Sequence, residues 1–403
     1  MEEPRINVTP SSSASQKRLL HPWQVSAGGI AGLILSIGLA RFAYTPLLPL
    51  MQQQAGLGDA MGGTLAAVNY AGYMSGALLA AWIDDPRWRA RLYFWGMLLG
   101  LVATALMPLA PNLALWALSR YLGGLSGAAG MLLGSGLVLG FLMRSGKRPE
   151  LGVHFMGLGL GIVVSAVGAM AMDRMGLDWA CHWWGFVAVG VPLLAITWWW
   201  RPPAPPPATT ALGAGAPSAT WMRWMLACYF CAGWGFVISA TFTVAIVERQ
   251  PLLKGQGPWA WLLVGLAATP AVFLWDRVAR RIGDLNALLA AFALQIASVV
   301  LPALSGSLAA ALTGALLYGA TFIGLVSLTL ALVGRRSPGN PGKAMARLTL
   351  SYGVAQISAP ALAGAMAQAS GNYQAALWIT ALVLTVGMGI LLRLRGLERR
   401  GEA

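Results

Sequence analysis

Residues 201–220 read RPPAPPPATTALGAGAPSAT. Prolines remove backbone donors and fix φ, so this run cannot form a membrane helix. It predicts a semi-extended linker. What flanks it decides the fold. On each side lie apolar runs of roughly 20 residues or more, the length a helix needs to cross a bilayer. Six precede the linker, near 23–52, 61–83, 92–109, 113–143, 151–172 and 179–200. Six follow it, near 221–247, 259–276, 285–304, 308–333, 348–369 and 373–392. The prediction is an all-α polytopic membrane protein with twelve transmembrane helices in two six-helix pseudo-repeats. Its parts are a disordered tail (1–22), an N-terminal half (23–200), the linker (201–220), a C-terminal half (221–392) and a basic tail (393–403).

Composition and charge placement agree with this. Only 10% of the 403 residues are charged and 57% are hydrophobic, whereas soluble domains carry about 25% charged residues. The first apolar run is longer than a signal-peptide core and lacks a clear cleavage site, which predicts an uncleaved first span. With the N-terminus inside, all but five of the 27 Lys and Arg fall in cytoplasmic tails, loops or helix ends. The exceptions are Arg174, Arg249 and Lys254 outside, and Arg41 and Arg120 within spans. Positive-inside bias then places both termini in the cytoplasm. The same bias, with attraction to anionic membrane lipid, explains the net charge of +14 without a nucleic-acid partner. Cys228 and Cys231 form a C-x-x-C inside a predicted span, where packing is their expected role. Metal-ligand clusters, nucleophile–base sets and nucleotide-binding loops are lacking, so no enzyme activity and no cofactor is expected.

The halves echo each other. GAM at 168–170 recurs at 364–366, and Gly157 matches Gly353, both at an offset of 196. Gly176–Trp183 (GLDWACHW) resembles Gly371–Trp378 (GNYQAALW) at an offset of 195. A near-constant offset implies two homologous six-helix units, as in the parallel repeats of certain secondary transporters. On the fifth span Gly157, Gly161 and Ser165 recur every four residues, a spacing that lets helices approach closely.

Acid followed by spaced arginines occurs at two helix junctions: WDRVARRIG (275–283) and IDDPRWRARL (83–92). The first resembles the loop signature of the major facilitator superfamily, carried by Asp276, Arg277, Arg280 and Arg281. The second is a degenerate copy in which Asp84 or Asp85 supplies the acid and Pro86 interrupts. RYLGGLSGA (120–128) resembles that superfamily's Arg-x-x-x-Gly motif, on Arg120 and Gly124. LARFAYTPLLPLM (39–51), GFVISATF (235–242) and SYGVAQISAPALAG (351–364) are similar to YbfB/YjiJ-type bacterial transporters, and the likeness extends over all twelve spans. The fifth span, GLGLGIVVSAVG (157–168), has the glycines of the antiporter motif without its proline. The resemblance implies a bacterial cytoplasmic (inner) membrane transporter working by alternating access. It also implies a central cavity lined by the first, fourth, seventh and tenth spans. Asp84, Asp85, Asp276, Arg277, Arg280 and Arg281 are then the gating candidates, latching one side shut.

Arg41 and Arg120 point to the cargo. A guanidinium at the centre of a membrane helix costs about 2.5–3.5 kcal/mol on insertion scales, and such residues usually face a cavity. Both lie in the outer half of their spans, at similar depth, and all thirteen Asp and Glu lie in tails, loops or helix ends. An anion joining the two charges is the expected neutraliser, since the guanidinium fork suits carboxylate or phosphate. Tyr44 lies one turn from Arg41, and Asn69 and Tyr73 share a face of the second span. Trp234, Thr241, Tyr318 and Gln356 are the candidates from the C-terminal half, which has no intramembrane charge. This asymmetry predicts a small organic anion with its charged end toward the first half and a neutral end toward the second. His154 and His182 lie near span ends, so the coupling ion stays open between a proton and a counter-anion. Two rival readings are efflux of amphipathic neutral compounds and a non-transporting membrane sensor on the same fold.

Overall fold

The computed structural model describes residues 20–83, 85–146, 151–204, 217–337 and 341–399. The centre of the linker (205–216), most of the N-terminal tail (1–19), the last residues (400–403) and Asp84 lie outside the described residues. Helix occupies each of the twelve predicted segments. In chain order these are α1 (Pro22–Gln54), α2 (Asp59–Trp82), α3 (Pro86–Leu106) and α4 (Leu113–Arg144). Then come α5 (Leu151–Arg174), α6 (Trp179–Trp199), α7 (Ala219–Glu248) and α8, which is split into Gly257–Ala268 and Ala271–Ile282. The last are α9 (Asp284–Leu304), α10 (Leu308–Arg336), α11 (Pro341–Ser370) and α12 (Gln374–Arg399).

Among the described residues eight helices are long and apolar enough to cross a membrane, or nine if the two pieces of α8 are one span bent by 48°. The bend falls at Pro270, whose ring and missing N–H interrupt the helical ladder. The other three, α2, α3 and α11, have 24, 21 and 30 residues. Length suffices in each, at about 1.5 Å per residue. Their polar content is what sets them apart: three arginines open α3, while α2 and α11 carry buried Asn69 and Gln356.

Local chemistry fixes the helix ends. Asn112, Asp178, Ser218 and Ser307 each accept a hydrogen bond from a backbone N–H of the first turn they cap. Gly176 and Gly371, the paired glycines of the repeat, both end their helices with φ of +69° and +75°. That left-handed conformation favours glycine and explains why both positions carry it.

Close approach of backbones holds the bundle. A methyl group on Gly161 would meet the Cα of Gly38 at 2.7 Å, pressing α5 against α1. Gly157 sits in the same way against Ile30 and Leu33, and Ser165 accepts a hydrogen bond from Trp261 Nε1 of α8 at 3.1 Å. The four-residue stripe is therefore a packing face. Gly63 of α2 lies against Pro360 and Gly364 of α11, with no room for a side chain on either glycine. Thr45 donates to the Ala240 carbonyl at 2.5 Å, tying α1 to α7. Outside this core the surface is apolar, with Trp23, Trp82, Trp95 and Trp199 exposed, in keeping with contact to lipid and its interface.

Candidate functional site

The middle of α1 departs from α-helical winding. Ile34–Phe42 is a π-helix, closed where the Ala43 N–H donates to the Gly38 carbonyl at 2.9 Å. Pro46 follows and has no N–H, so a carbonyl of the preceding turn lacks its helical donor. π-Helical turns often mark functional positions. Here the Ala40 and Arg41 carbonyls accept from the Arg120 guanidinium. Nη1 lies 3.1 Å from Ala40 O, and both Nη1 and Nη2 lie 3.5 Å from Arg41 O.

Two glycines bring Arg120 there. A Cβ on Gly123 would meet Ala40 O at 2.8 Å, and Gly124 packs directly on the α2 backbone at Asn69. Asn69 in turn donates from Nδ2 to the Arg120 carbonyl at 2.7 Å. Tyr44 completes the group: its ring centroid is 4.3 Å from Arg120 Cζ, and its hydroxyl donates to Gly62 O at 2.9 Å. Arg120 is 3% exposed and pins α4 to α1.

Arg41 has different surroundings. It is 7% exposed, and its guanidinium finds no hydrogen-bond acceptor among the described residues. Rings enclose it instead. Its Cζ lies 4.3 Å from the Tyr70 centroid, 5.3 Å from Tyr73, and 5.5 Å from both Phe42 and Phe236. Each such contact contributes about 0.5–2 kcal/mol, but rings accept none of the five guanidinium N–H groups in the way an oxygen does.

Of the residues expected to bind substrate, Arg41, Arg120, Tyr44, Asn69 and Tyr73 are brought into one cluster. Tyr318 joins at one remove, donating to the Phe236 carbonyl at 3.0 Å. Thr241 and Gln356 are buried on α7 and α11 without a contact to either guanidinium. Trp234 packs near Phe230, its Nε1 buried and unpartnered. His154 binds Ser135, and His182 binds Asp173 and Asp178, both apart from the arginine cluster. Sequence reasoning missed Tyr70 and Phe236. Tyr70 precedes Tyr73 by three residues, hence on the same helical face, and Phe236 lies within GFVISATF, so a signal for each was present.

Of the gating candidates, Asp276 forms an ion pair with Arg280 of its own helix, and Arg277 lies over Phe273. Asp85 caps α3, accepting from Arg87 N at 2.8 Å, and Arg281 is exposed. At the opposite end of α2 a different charged group links distant helices. Asp59 pairs with Arg249 of α7 and accepts from Tyr373 Oη at 3.0 Å and from Gln52 Nε2 at 2.7 Å. Arg249 also donates to Gly371 O at 3.3 Å, and the Ala60 N–H donates to Gln368 Oε1 at 3.1 Å.

The profile of a family described as "Uncharacterised MFS-type transporter YbfB" matches residues 33–392. An uncharacterised MFS-type transporter, YceJ of Bacillus subtilis (strain 168), is 34% identical over 92 residues. That stretch is 23% of this chain and 24% of the relative. Among solved structures, a mutant form of the nucleoside transporter NupG superposes with a TM-score of 0.72 at 12% identity, covering 93% of this chain and 99% of that one. The human organic anion transporter MFSD10 gives 0.64 at 18% identity, covering 92% and 99%. A bacterial homologue of the human lysosomal transporter Spinster, inward-facing and occupied, gives 0.63 at 14%, covering 93% and 96%. At these identities the likeness establishes the fold and leaves cargo open.

Proposed function

Because the chain belongs to the YbfB-type family of major facilitator transporters, and so is a multi-pass membrane carrier of small molecules, we propose that its cargo is a small organic anion held at Arg41. One observation carries this reading: Arg41 is buried without a hydrogen-bond acceptor among the described residues, while Arg120 beside it is supplied with two carbonyls. A buried guanidinium lacking acceptors forfeits the full value of its donors. A carboxylate restores it through the guanidinium fork.

In this reading residues 23–200 and 221–392 rock as two units around the arginine cluster, joined by the linker 201–220. The protein sits in a bacterial cytoplasmic membrane with both termini inside. Transport is coupled to a proton or to a counter-anion. The gating candidates at the α2–α3 and α8–α9 junctions change partners as the units rock.

The test is a ligand-stabilisation screen on purified protein, wild type against Arg41→Ala. Small carboxylates are expected to raise the wild-type melting temperature and to leave Arg41→Ala unmoved. The rings around Arg41 favour one rival, efflux of amphipathic neutral compounds. Neutral or cationic stabilisers, with the same profile in Arg41→Ala, would decide for that rival and against the anion.

A further inference from the structure

We propose that the anion is an aromatic monocarboxylate, its carboxylate on Arg41 and its ring seated among Tyr70, Phe236 and the aromatic side chains behind them. This rests on the reading of Arg41 as the anion site and names the chemical class that site selects.

The charge follows from how the donors are used. Arg120 gives its terminal nitrogens to the Ala40 and Arg41 carbonyls. Only the Arg41 fork stays open, and one guanidinium fork matches one carboxylate. A cation is excluded although aromatic cages suit cations, because this cage already encloses a guanidinium and a second stands beside it.

The ring follows from what surrounds Arg41. Tyr70 and Phe236, from α2 and α7, are 6.3 Å apart and meet edge to face. Phe236 continues to Phe322 of α10 at 5.4 Å and to Tyr352 of α11 at 5.8 Å, and Tyr352 to Tyr229 at 4.6 Å. All are within the centroid separations of favourable aromatic pairs. A ligand reaching the fork must part Arg41 from some of these faces. An aromatic ligand puts its own ring in the place of the guanidinium against them, whereas an aliphatic acid offers no π-face in exchange.

The far end is also specified. The hydroxyls of Tyr70, Tyr229 and Tyr352 make no hydrogen bond among the described residues, whereas the Tyr318 hydroxyl is committed to Phe236 O. These three hydroxyls can receive a neutral polar substituent such as a ring hydroxyl.

The experiment measures equilibrium binding to the full-length protein in lipid nanodiscs, with benzoate, 4-hydroxybenzoate, cyclohexanecarboxylate and benzamide as probes. Benzoate and cyclohexanecarboxylate share the carboxylate and the carbon count and differ in the π-face. Benzoate is expected to bind about tenfold more tightly, as two good ring contacts allow, and 4-hydroxybenzoate at least as tightly as benzoate. Benzamide is expected to bind at least tenfold more weakly than benzoate. Phe236→Leu, with Tyr70→Leu as a second variant where the first does not fold, is expected to bring the benzoate-to-cyclohexanecarboxylate ratio close to one. Arg41→Gln is expected to remove binding of both acids. Equal wild-type affinity for the two acids, lost in Arg41→Gln, overturns the aromatic assignment and leaves the anion reading standing. Benzamide binding as well as benzoate, or acid binding that survives in Arg41→Gln, overturns both.

Discussion

Arg41 and Arg120 stand on touching helices, yet their surroundings ask opposite things of them. Arg120 donates to the Ala40 and Arg41 carbonyls, so its charge is used within the fold. Hydrogen bonds to a charged donor contribute about 1.5–3 kcal/mol each. Arg120→Met is therefore expected to lower the unfolding free energy of the ligand-free protein by roughly 2 kcal/mol, followed by thermal or denaturant unfolding in detergent. Arg41→Met removes a buried guanidinium that no oxygen serves, and trading such a charge for an apolar chain is often neutral or stabilising. Ligand-free Arg41→Met is expected to melt no lower than wild type. The reverse order, with Arg41→Met the weaker protein, would mean that Arg41 is a structural arginine. Both arginines were legible in the sequence because a charge within an apolar run is costly wherever it lies. The division of labour between them was not, because it depends on which carbonyls Pro46 and the π-helical turn leave available.

At the scale of the helix, small residues set how close neighbours come. Gly38 and Gly161 face each other so closely that neither tolerates a side chain. Gly161→Leu is expected to push α5 off α1 and sharply reduce the folded fraction, measured as the monodisperse yield on size-exclusion chromatography. Gly136→Leu is the control, since a side chain there meets nothing within 4 Å. Equal yields from the two would remove the packing role given to the stripe. This stripe and the twelve helical segments were readable because membrane helices impose length, apolarity and small contact residues on sequence. The paired helix-ending glycines, Gly176 and Gly371, were visible as a repeat, and their φ values supply the reason. The cage around Arg41 was hidden for the converse reason. Tyr70 and Phe236 fit any apolar helix, and only the crossing of α1, α2 and α7 turns them toward one guanidinium.

At the scale of the whole molecule, the two ends of the bundle are held differently. The acid–arginine motif at 275–283 was the expected latch, but Asp276 pairs within its own helix. The pair that links the first six helices to the last six is Asp59–Arg249, 190 residues apart in sequence, with Tyr373, Gln52 and Gln368 around it. Neither residue belongs to a recognisable motif, so nothing in the sequence could bring them together. The group sits beside the tight Gly63–Gly364 crossing of α2 and α11, so this end of the bundle is shut. Side-chain exposures of 13% for Asp59 and 31% for Arg249 leave the pair partly screened by solvent, which puts its worth near 1 kcal/mol. A loss of that size changes a closed-to-open ratio about fivefold. The prediction is that Asp59→Asn shifts the population toward states open at this end. Spin labels at Gln53 and Ala369, both on the exposed rim, report it as a longer component in the distance distribution. Arg249→Gln should produce the same component, and the double variant should add little to either single one, because both break one interaction. If both single variants keep the wild-type distribution, the pair is a surface ornament, and glycine-mediated packing of α2 on α11 alone holds this end closed.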